Sequence, residues 1–152
     1  MLCLDRQVTG CHFQSGFTGL DVGWCSIDQP QVGDSLGALE QASGGVGYVR
    51  FHGRNRDNWF GRDTDRNKRY DYLYDNRELG SWKERIQRIA KRAGQTFVVT
   101  NNHFLGQAVV NGLELMNMMS GKKVLVPDTL AARHPQLERI REYPPGSQPS
   151  LF

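Results

Sequence analysis

The sequence has few cysteines, and their spacing matches no common cysteine site. Its 152 residues include Cys3, Cys11 and Cys25, an odd number without a C-x-x-C pair. This pattern is typical of thiols in a reducing compartment, and it argues against a disulfide-built scaffold or a structural zinc site.

Long apolar runs are also lacking. No window approaches the roughly 20 apolar residues of a transmembrane helix. Near the N-terminus, Asp5, Arg6 and Gln7 interrupt the apolar core that a signal peptide requires. We therefore expect a soluble, cytoplasmic protein without a membrane partner.

A strong excess of one charge and the common nucleotide-binding motifs are absent as well. The net charge of +3 is too small to indicate nucleic acid by itself. No G-x-S-x-G or P-loop motif occurs, and the glycines at 44–47 precede a strand instead of linking a strand to a helix, which excludes a dinucleotide loop. The sequence predicts no particular cofactor.

What the chain does have is a strand that ends in polar and cationic side chains, within residues 48–55 (YVRFHGRN). Period-two alternation places Val49 and Phe51 on one face, and Tyr48, Arg50, His52 and Arg54 on the other. A face that mixes arginine with histidine is costly to bury unless it lines a wet or functional cavity.

Apolar periodicity elsewhere predicts an alternation of strands and helices. A capping box of Asp75 and Glu78 begins the first helix, and Gly94 suits the position just after it. The run 97–99 is typical of a parallel strand buried on both faces, and the second helix carries one apolar stripe that includes Val109 and Met116. The predicted helices are 76–93 and 105–120, and the predicted strands are 21–28, 46–52, 95–101 and 124–126. The order β–β–α–β–α–β favours an α/β fold with a parallel sheet.

Three separate motifs in this region resemble the YecE-like family, also called domain of unknown function 72. They are YVRFHGRN at 48–55, RYDYLY at 69–74 followed by Glu78, Leu79 and Trp82, and NNH at 101–103 followed by GQA at 106–108 and Asn111. The resemblance covers about residues 21–120 and implies a (β/α)8 barrel, without implying a particular reaction.

The resemblance is to the C-terminal half of such a barrel only. A complete barrel needs roughly 250 residues and eight strands, whereas three or four parallel strands are predicted here. We therefore expect an irregular segment at 1–20, a partial TIM-like (β/α) barrel at 21–142, and a disordered tail at 143–152. A truncated form of this kind exposes two sheet edges, at Val22–Ile27 and at 124–126, which favours self-association.

Polar side chains follow three of the predicted strands, at the end where barrel enzymes keep their chemistry. Histidine suits acid/base work, arginine can hold a phosphate or carboxylate, and asparagine can position a substrate. The candidate catalytic residues are His52 and His103, and the candidate substrate-binding residues are Asp28, Arg50, Arg54, Asn101 and Asn102.

A structural role is the alternative interpretation of these residues. Arg50 and Asp28 would then form a buried ion pair, while the histidines and asparagines would bind loop backbone. A metal centre of Asp28, His52 and His103 has suitable ligand types, but the spacing matches no metal-site signature, and no metal is predicted.

The segment 54–69 carries six Lys or Arg against three Asp, together with Trp59 and Phe60. Such a segment can hold nucleic acid, yet interleaved opposite charges are more typical of a solvated lid. Tyr70, Tyr72 and Tyr74 either line the mouth beside this lid or pack against the following helix.

The function predicted for the complete family form is binding of a small anionic or phosphorylated ligand at the barrel mouth, with hydrolase chemistry if it is an enzyme. A module that binds nucleic acid or another partner without catalysis is the alternative. The truncated form is expected to be inactive.

Overall fold

A computed structural model describes residues 23–143, apart from positions 33, 34, 36, 38, 44 and 60–65. Its strands are β1 (Cys25–Asp28), β2 (Ala42–Ser43), β3 (Val46–Phe51), β4 (Gln95–Thr100), β5 (Val124–Leu125) and β6 (Arg141–Glu142). Its helices are α1 (Arg56–Trp59), α2 (Arg66–Arg69), α3 (Asn76–Ala90), α4 (Gln107–Ser120) and α5 (Asp128–Arg133), with 3₁₀ segments at Phe104–Gly106 and Pro135–Ile140. The predicted segment 1–20 and the predicted tail beyond Tyr143 lie outside the described residues, so the proposed domain boundaries stay predictions.

The main sheet is built around β3. Strand β4 pairs with it in parallel along its whole length, and β1 pairs in parallel with its C-terminal part, from Tyr48 to Phe51. The short strand β2 runs antiparallel to the first two residues of β3. A mixed α/β fold with parallel strands is therefore confirmed.

The predicted fourth parallel strand does not join this sheet. Strand β5 pairs instead with β6, in a separate two-stranded parallel sheet. A second apolar cluster explains this placement, because Val124 and Val126 pack with Leu137 and Ile140 of the C-terminal segment. The sheet edge predicted at 124–126 is thus wrong, and among the described strands the edges of the main sheet lie at β1 and at β4.

Helix α3 covers one face of the sheet. Val49 and Phe51 are fully buried, and they share a core with apolar side chains of α3 and α4: Leu79, Trp82, Ile86, Ile89 and Leu115. The predicted capping box is present, since Asp75 accepts from the Glu78 backbone N–H and Glu78 accepts from that of Asp75. The helix ends earlier than predicted, at Ala90 with Lys91 as its cap. Gly94 is therefore not the capping residue; its N–H donates to the Gly45 carbonyl at 2.7 Å.

Helix α4 turns a different side toward the core than its apolar stripe predicts. Val109 and Met116 are 53% and 58% exposed, whereas Asn111 and Glu114 are buried. The polar side chains can be buried because they have partners: Asn111 bonds the Tyr74 backbone at both N–H and C=O, and Glu114 pairs with Arg139. Satisfied hydrogen bonds remove the penalty that would otherwise keep these groups in water.

Strand β4 is likewise less covered than its apolar run predicts. Phe97 is 46% and Val98 is 38% exposed. Among the described residues, no strand pairs with the outer edge of β4. The expectation of a strand buried on both faces is therefore wrong for this chain.

None of the helices in the described part of the chain is both long enough and apolar enough to cross a membrane.

Candidate functional site

The parallel strands bring their polar ends to one edge of the sheet. The His52 N–H donates to the Asp28 carbonyl at 2.8 Å, and the Asn101 N–H donates to the Phe51 carbonyl at 2.6 Å. These bonds continue the strand ladder one residue past each strand. The structure therefore places the ends of β1, β3 and β4 side by side, but their side chains divide between the two faces of the sheet.

Asp28 and Arg54 lie on the helix-covered face and bind each other. The prediction that Arg54 shares a face with Arg50 and His52 is wrong, because β3 ends at Phe51 and its alternation does not continue to Arg54. Arg54 donates from Nε to Asp28 Oδ1 at 2.8 Å and from Nη2 to Asp28 Oδ2 at 2.6 Å. Asp28 is only 3% exposed, and Trp82 Nε1 donates to its Oδ2 as well. Both oxygens of this carboxylate are thus held by protein donors.

A second carboxylate binds the same arginine. Arg54 Nη1 donates to Glu78 Oε1 at 2.8 Å, and the Tyr72 hydroxyl donates to that oxygen at 2.7 Å. Burial, followed by the hydrogen bond to Glu78, raises the pKa of Tyr72 to about 12. The pKa of the Arg54 guanidinium is raised above its usual range, chiefly by its hydrogen bond to Asp28. The cation therefore stays charged and is matched by two anions.

The alternative ion pair between Arg50 and Asp28 does not form. Asp28 is the register partner of Phe51, and Arg50 is the partner of Ile27. Register partners in a parallel sheet point to the same side, so the side chains of Asp28 and Arg50 point to opposite sides. The partner of Asp28 is Arg54 instead.

Asn102 lies in the interior, just after the end of β4. It is fully buried, and its Nδ2 donates to the Tyr72 carbonyl at 2.8 Å and to Asn111 Oδ1 at 2.7 Å. The segment before α3 is thereby tied to the end of β4 and to α4. Asn111 was part of the third sequence motif, but its pairing with Asn102 needed the tertiary fold to bring them together.

The other predicted residues meet on the opposite side, where they form one contact series. Arg50 Nε donates to Asn101 Oδ1 at 3.3 Å, and His103 Nδ1 lies 3.1 Å from the Asn101 carbonyl oxygen. The Tyr70 ring lies 4.9 Å from the His103 ring and 6.0 Å from the His52 ring, between centroids. We call Arg50, His52, Tyr70, Asn101 and His103 the strand-end cluster.

Trp59, the last residue of α1, lies next to this cluster. The Trp59 ring centroid is 6.1 Å from that of His52 and 6.2 Å from that of Tyr70, with interplanar angles of 70° and 74°. Tyr74 is part of the core instead, edge-on to Phe51. Tyr74 therefore packs with the helix that follows, as the second interpretation holds, and Tyr70 lies beside His52 and His103. That Tyr70 lines a barrel mouth stays a prediction.

The structure does not assemble the metal centre considered from the sequence. Within residues 23–143 as described, no three His, Cys, Asp or Glu side chains gather closely enough to hold an ion. Asp28 lies on the helix-covered side with its oxygens bound. Two open clefts flank Arg54, with volumes of about 470 and 490 Å³, and neither His52 nor His103 lines them.

A family model described as "Protein of unknown function DUF72" matches residues 9–136 of the chain. The chain belongs to the DUF72 family. The match extends at both ends beyond the 21–120 range covered by the sequence motifs, and it includes part of the N-terminal segment in which no resemblance was expected.

Individual proteins resemble the chain over part of their length. The UPF0759 protein YunF of Bacillus subtilis is 32% identical over 104 residues, which are 64% of this chain and 37% of that protein. The crystal structure of a DUF72 family protein from Thermotoga maritima matches with a TM-score of 0.66 and 29% identity, over 76% of this chain and 42% of that one. A DUF72 family protein from Enterococcus faecalis matches with a TM-score of 0.62 and 24% identity, over 74% and 40% of the two chains, which shows the fold alone. This chain spans about two-fifths of the length of these relatives.

Proposed function

We propose that this DUF72 chain binds a small anionic ligand, of the phosphate-ester class, at the strand-end cluster. The observation that carries the proposal is the continuous contact series from Arg50 through Asn101, His103 and Tyr70 to His52. It lies at the carboxyl ends of two neighbouring parallel strands, where α/β folds bind their ligands.

Arg50 is the residue that we assign to the anion. Arg54 is bound by two carboxylates, whereas the hydrogen bond that Arg50 makes among the described residues goes to a neutral amide oxygen. A guanidinium without an anionic partner keeps its full charge for a ligand, and its planar fork matches two phosphate oxygens. Arg54 and Asp28 then support the site from behind the sheet.

The two histidines give the site its capacity for proton transfer. Imidazole can donate or accept a proton near neutral pH, and His52 and His103 lie on either side of Tyr70. In the complete family form we propose that they act as general acid and base in phosphoester hydrolysis. For this shorter chain the proposal is binding without turnover.

We also propose that the described fold is part of a (β/α) barrel. Helices α3 and α4 pack on the Val49 side of the sheet, while the side that carries Tyr48 and Arg50 stays partly exposed. In a closed barrel that second side faces the interior, and its polar residues line the mouth. The match to about two-fifths of longer relatives supports this assignment.

The uncovered edge of this partial barrel supports the proposed self-association. Gly112 on α4 lies against Thr100 on β4, so the helix packs beside this strand, and Val109 and Met116 of the same helix are exposed. An unpaired strand edge beside apolar surface is a typical site for adding another chain. We propose that a second copy covers it.

The binding proposal is tested by calorimetric titration of the folded chain with methyl phosphate. Replacing Arg50→Gln removes the cation while keeping a polar side chain of similar reach, and we expect the affinity to fall at least about tenfold, or ~1.4 kcal/mol. Arg133→Gln, an exposed arginine on α5, is the matched control and should leave the affinity unchanged. Equal affinities in wild type and Arg50→Gln would reject the assignment.

The nucleic-acid alternative has a separate outcome in the same assay. The probe is a single-stranded oligonucleotide. If its binding weakens steeply with salt and in Arg62→Ala or Arg66→Ala, but not in Arg50→Gln, the result would favour the segment 54–69 over the strand-end cluster as the binding site. No contact among the described residues favours that alternative.

A further inference from the structure

Three rings of the strand-end cluster, those of His52, Tyr70 and His103, lie next to one another in that order. The Tyr70 ring is inclined by 39° to the His52 ring and by 37° to the His103 ring. His52 and Tyr70 are half-buried, and His103 is exposed. The Trp59 ring contacts the His52 and Tyr70 rings edge-on. The solvent-facing end of the series is therefore the His103 ring.

The His103 ring is held in a defined position. Its Nδ1 lies 3.1 Å from the Asn101 carbonyl oxygen, and its Nε2 lies 3.4 Å from Asn67 Oδ1. Both partners are oxygens, so a neutral imidazole donates to one of them at a time. Either bond restrains rotation of the ring, so it can serve as a flat surface without losing much further entropy. A planar group that binds there meets a preorganised platform.

The platform and the proposed anion-binding residue share one neighbour. Asn101 contacts His103 through its backbone and Arg50 through its side chain. The same face of the sheet continues behind Arg50 with the cross-strand pair Tyr48 and Phe97, of which Phe97 is 46% exposed. Arg50 thus shares its face of the sheet with Tyr48 and Phe97, and shares its neighbour Asn101 with His103.

We propose that the ligand of this site carries a planar aromatic ring next to its anionic group. The ring stacks on His103, which Tyr70 supports from the other side, and the phosphate binds Arg50. This inference rests on the proposed function and adds the class of ligand to it. A ring is favoured over an aliphatic group because aromatic surfaces stack on one another with a gain beyond simple apolar burial.

The test compares phenyl phosphate with methyl phosphate, which carries the same anionic group without the ring. We expect the wild-type chain to bind phenyl phosphate about tenfold more tightly, which corresponds to ~1.4 kcal/mol and lies within the range for one stacked base. His103→Leu should reduce that preference to about twofold or less, whereas His103→Phe, which keeps a flat ring, should retain it. Tyr70→Leu should reduce it as well.

Tyr143→Leu is the matched control, because Tyr143 lies at the C-terminal end of the described chain and packs over Arg141 at 4.8 Å. That variant should keep the full preference. Should Tyr70→Leu fail to fold in a thermal melt, the pair of His103 variants decides alone.

The outcomes separate this inference from the proposal on which it rests. Suppose that the wild type binds the two phosphates equally well and that Arg50→Gln loses the binding of both. This result would overturn the proposed aromatic ring of the ligand and would support the anion site. A preference for phenyl phosphate that survives in His103→Leu and in Tyr70→Leu would also overturn the stacking assignment. Binding of neither phosphate would reject both proposals together.

Discussion

The Asp28 carboxylate is held by donors from two different elements, and this sets its role. Arg54 binds both of its oxygens from the loop after β3, and Trp82 donates from α3. With 3% of its surface exposed, Asp28 joins the sheet to the helix that covers it. Asp28 was predicted as a site residue because it lies at the end of a strand. The sequence alone does not give the register between strands, so it could not show to which face of the sheet Asp28 points.

We expect Asp28→Asn to lower the free energy of unfolding by about 2 kcal/mol. The amide keeps one acceptor but removes the charge that faces Arg54, whose side chain is 39% exposed and keeps Glu78 as a partner. These two features place the loss below the ~3–5 kcal/mol typical of a fully buried broken pair. Urea denaturation followed by tryptophan fluorescence measures it.

Glu84→Gln is the control for that measurement, because the Glu84 side chain is 73% exposed. Its effect should stay within about 0.5 kcal/mol. A change equally small in Asp28→Asn, combined with weaker binding of methyl phosphate, would show that Asp28 contacts the ligand and is not a support of the fold.

At the scale of elements, α4 is organised by polar residues as much as by apolar ones. Glu114 is buried, and it accepts from Asn111 Nδ2 and from Arg139 Nη2, each at 3.0 Å. Arg139 belongs to the 3₁₀ segment Pro135–Ile140, so this pair fastens the C-terminal segment to the helix. Burial raises the pKa of Glu114, opposed by the hydrogen bond to Asn111 and the charge of Arg139.

The raised pKa predicts a specific dependence of stability on pH. The folded chain holds the Glu114 proton more tightly than the unfolded chain, so between the ordinary value of 4.5 and the raised value the folded state binds more protons. The contribution of Glu114 to the free energy of unfolding therefore falls as the pH rises through that window. We expect the difference in stability between wild type and Glu114→Gln to shift in favour of wild type as the pH is lowered toward 4.5.

Urea denaturation at several pH values from 4.5 upward tests this expectation. The difference between the two proteins isolates Glu114, because the other carboxylates titrate in both. Glu142→Gln, an exposed residue of β6, should run parallel to wild type. A difference that grows in favour of wild type as the pH rises would mean that the bond to Arg139 outweighs burial.

For the whole molecule, the main feature is the surface left open beside β4. Val98 is 38% exposed on the strand, and Val109, Met116 and Met119 are 53%, 58% and 39% exposed on α4. Contiguous apolar surface of this kind is uncommon on isolated chains and usually marks a contact with other protein.

We expect the purified chain to self-associate, with an average mass in light scattering that rises with concentration. Met116→Lys places a charge in the middle of the exposed helix stripe and should raise the dissociation constant about tenfold, or ~1.4 kcal/mol. The residue is 58% exposed, so the fold itself should tolerate the change.

Leu125→Lys is the matched control, since Leu125 is 64% exposed but belongs to the separate sheet of β5 and β6. It should leave association unchanged. A monomer at every concentration, for wild type as for both variants, would contradict the proposal.

The sequence by itself determined the elements that depend on local patterns. The capping box at Asp75, the strand from Val46 and the stop of α4 at Gly121 follow from hydrogen bonds and backbone preferences within a few residues. The family also follows from short motifs, because their residues are contiguous. These features need no knowledge of what packs against them.

Only the tertiary structure decided which face each residue serves. Asp28 and Arg50 both lie at strand ends, yet the register places one against α3 and the other with Asn101. The buried side of α4 was set by long-range partners of Asn111 and Glu114, which outweighed its apolar stripe. Hydrogen bonds between distant segments determine these choices, and a sequence pattern carries no record of which distant groups will meet.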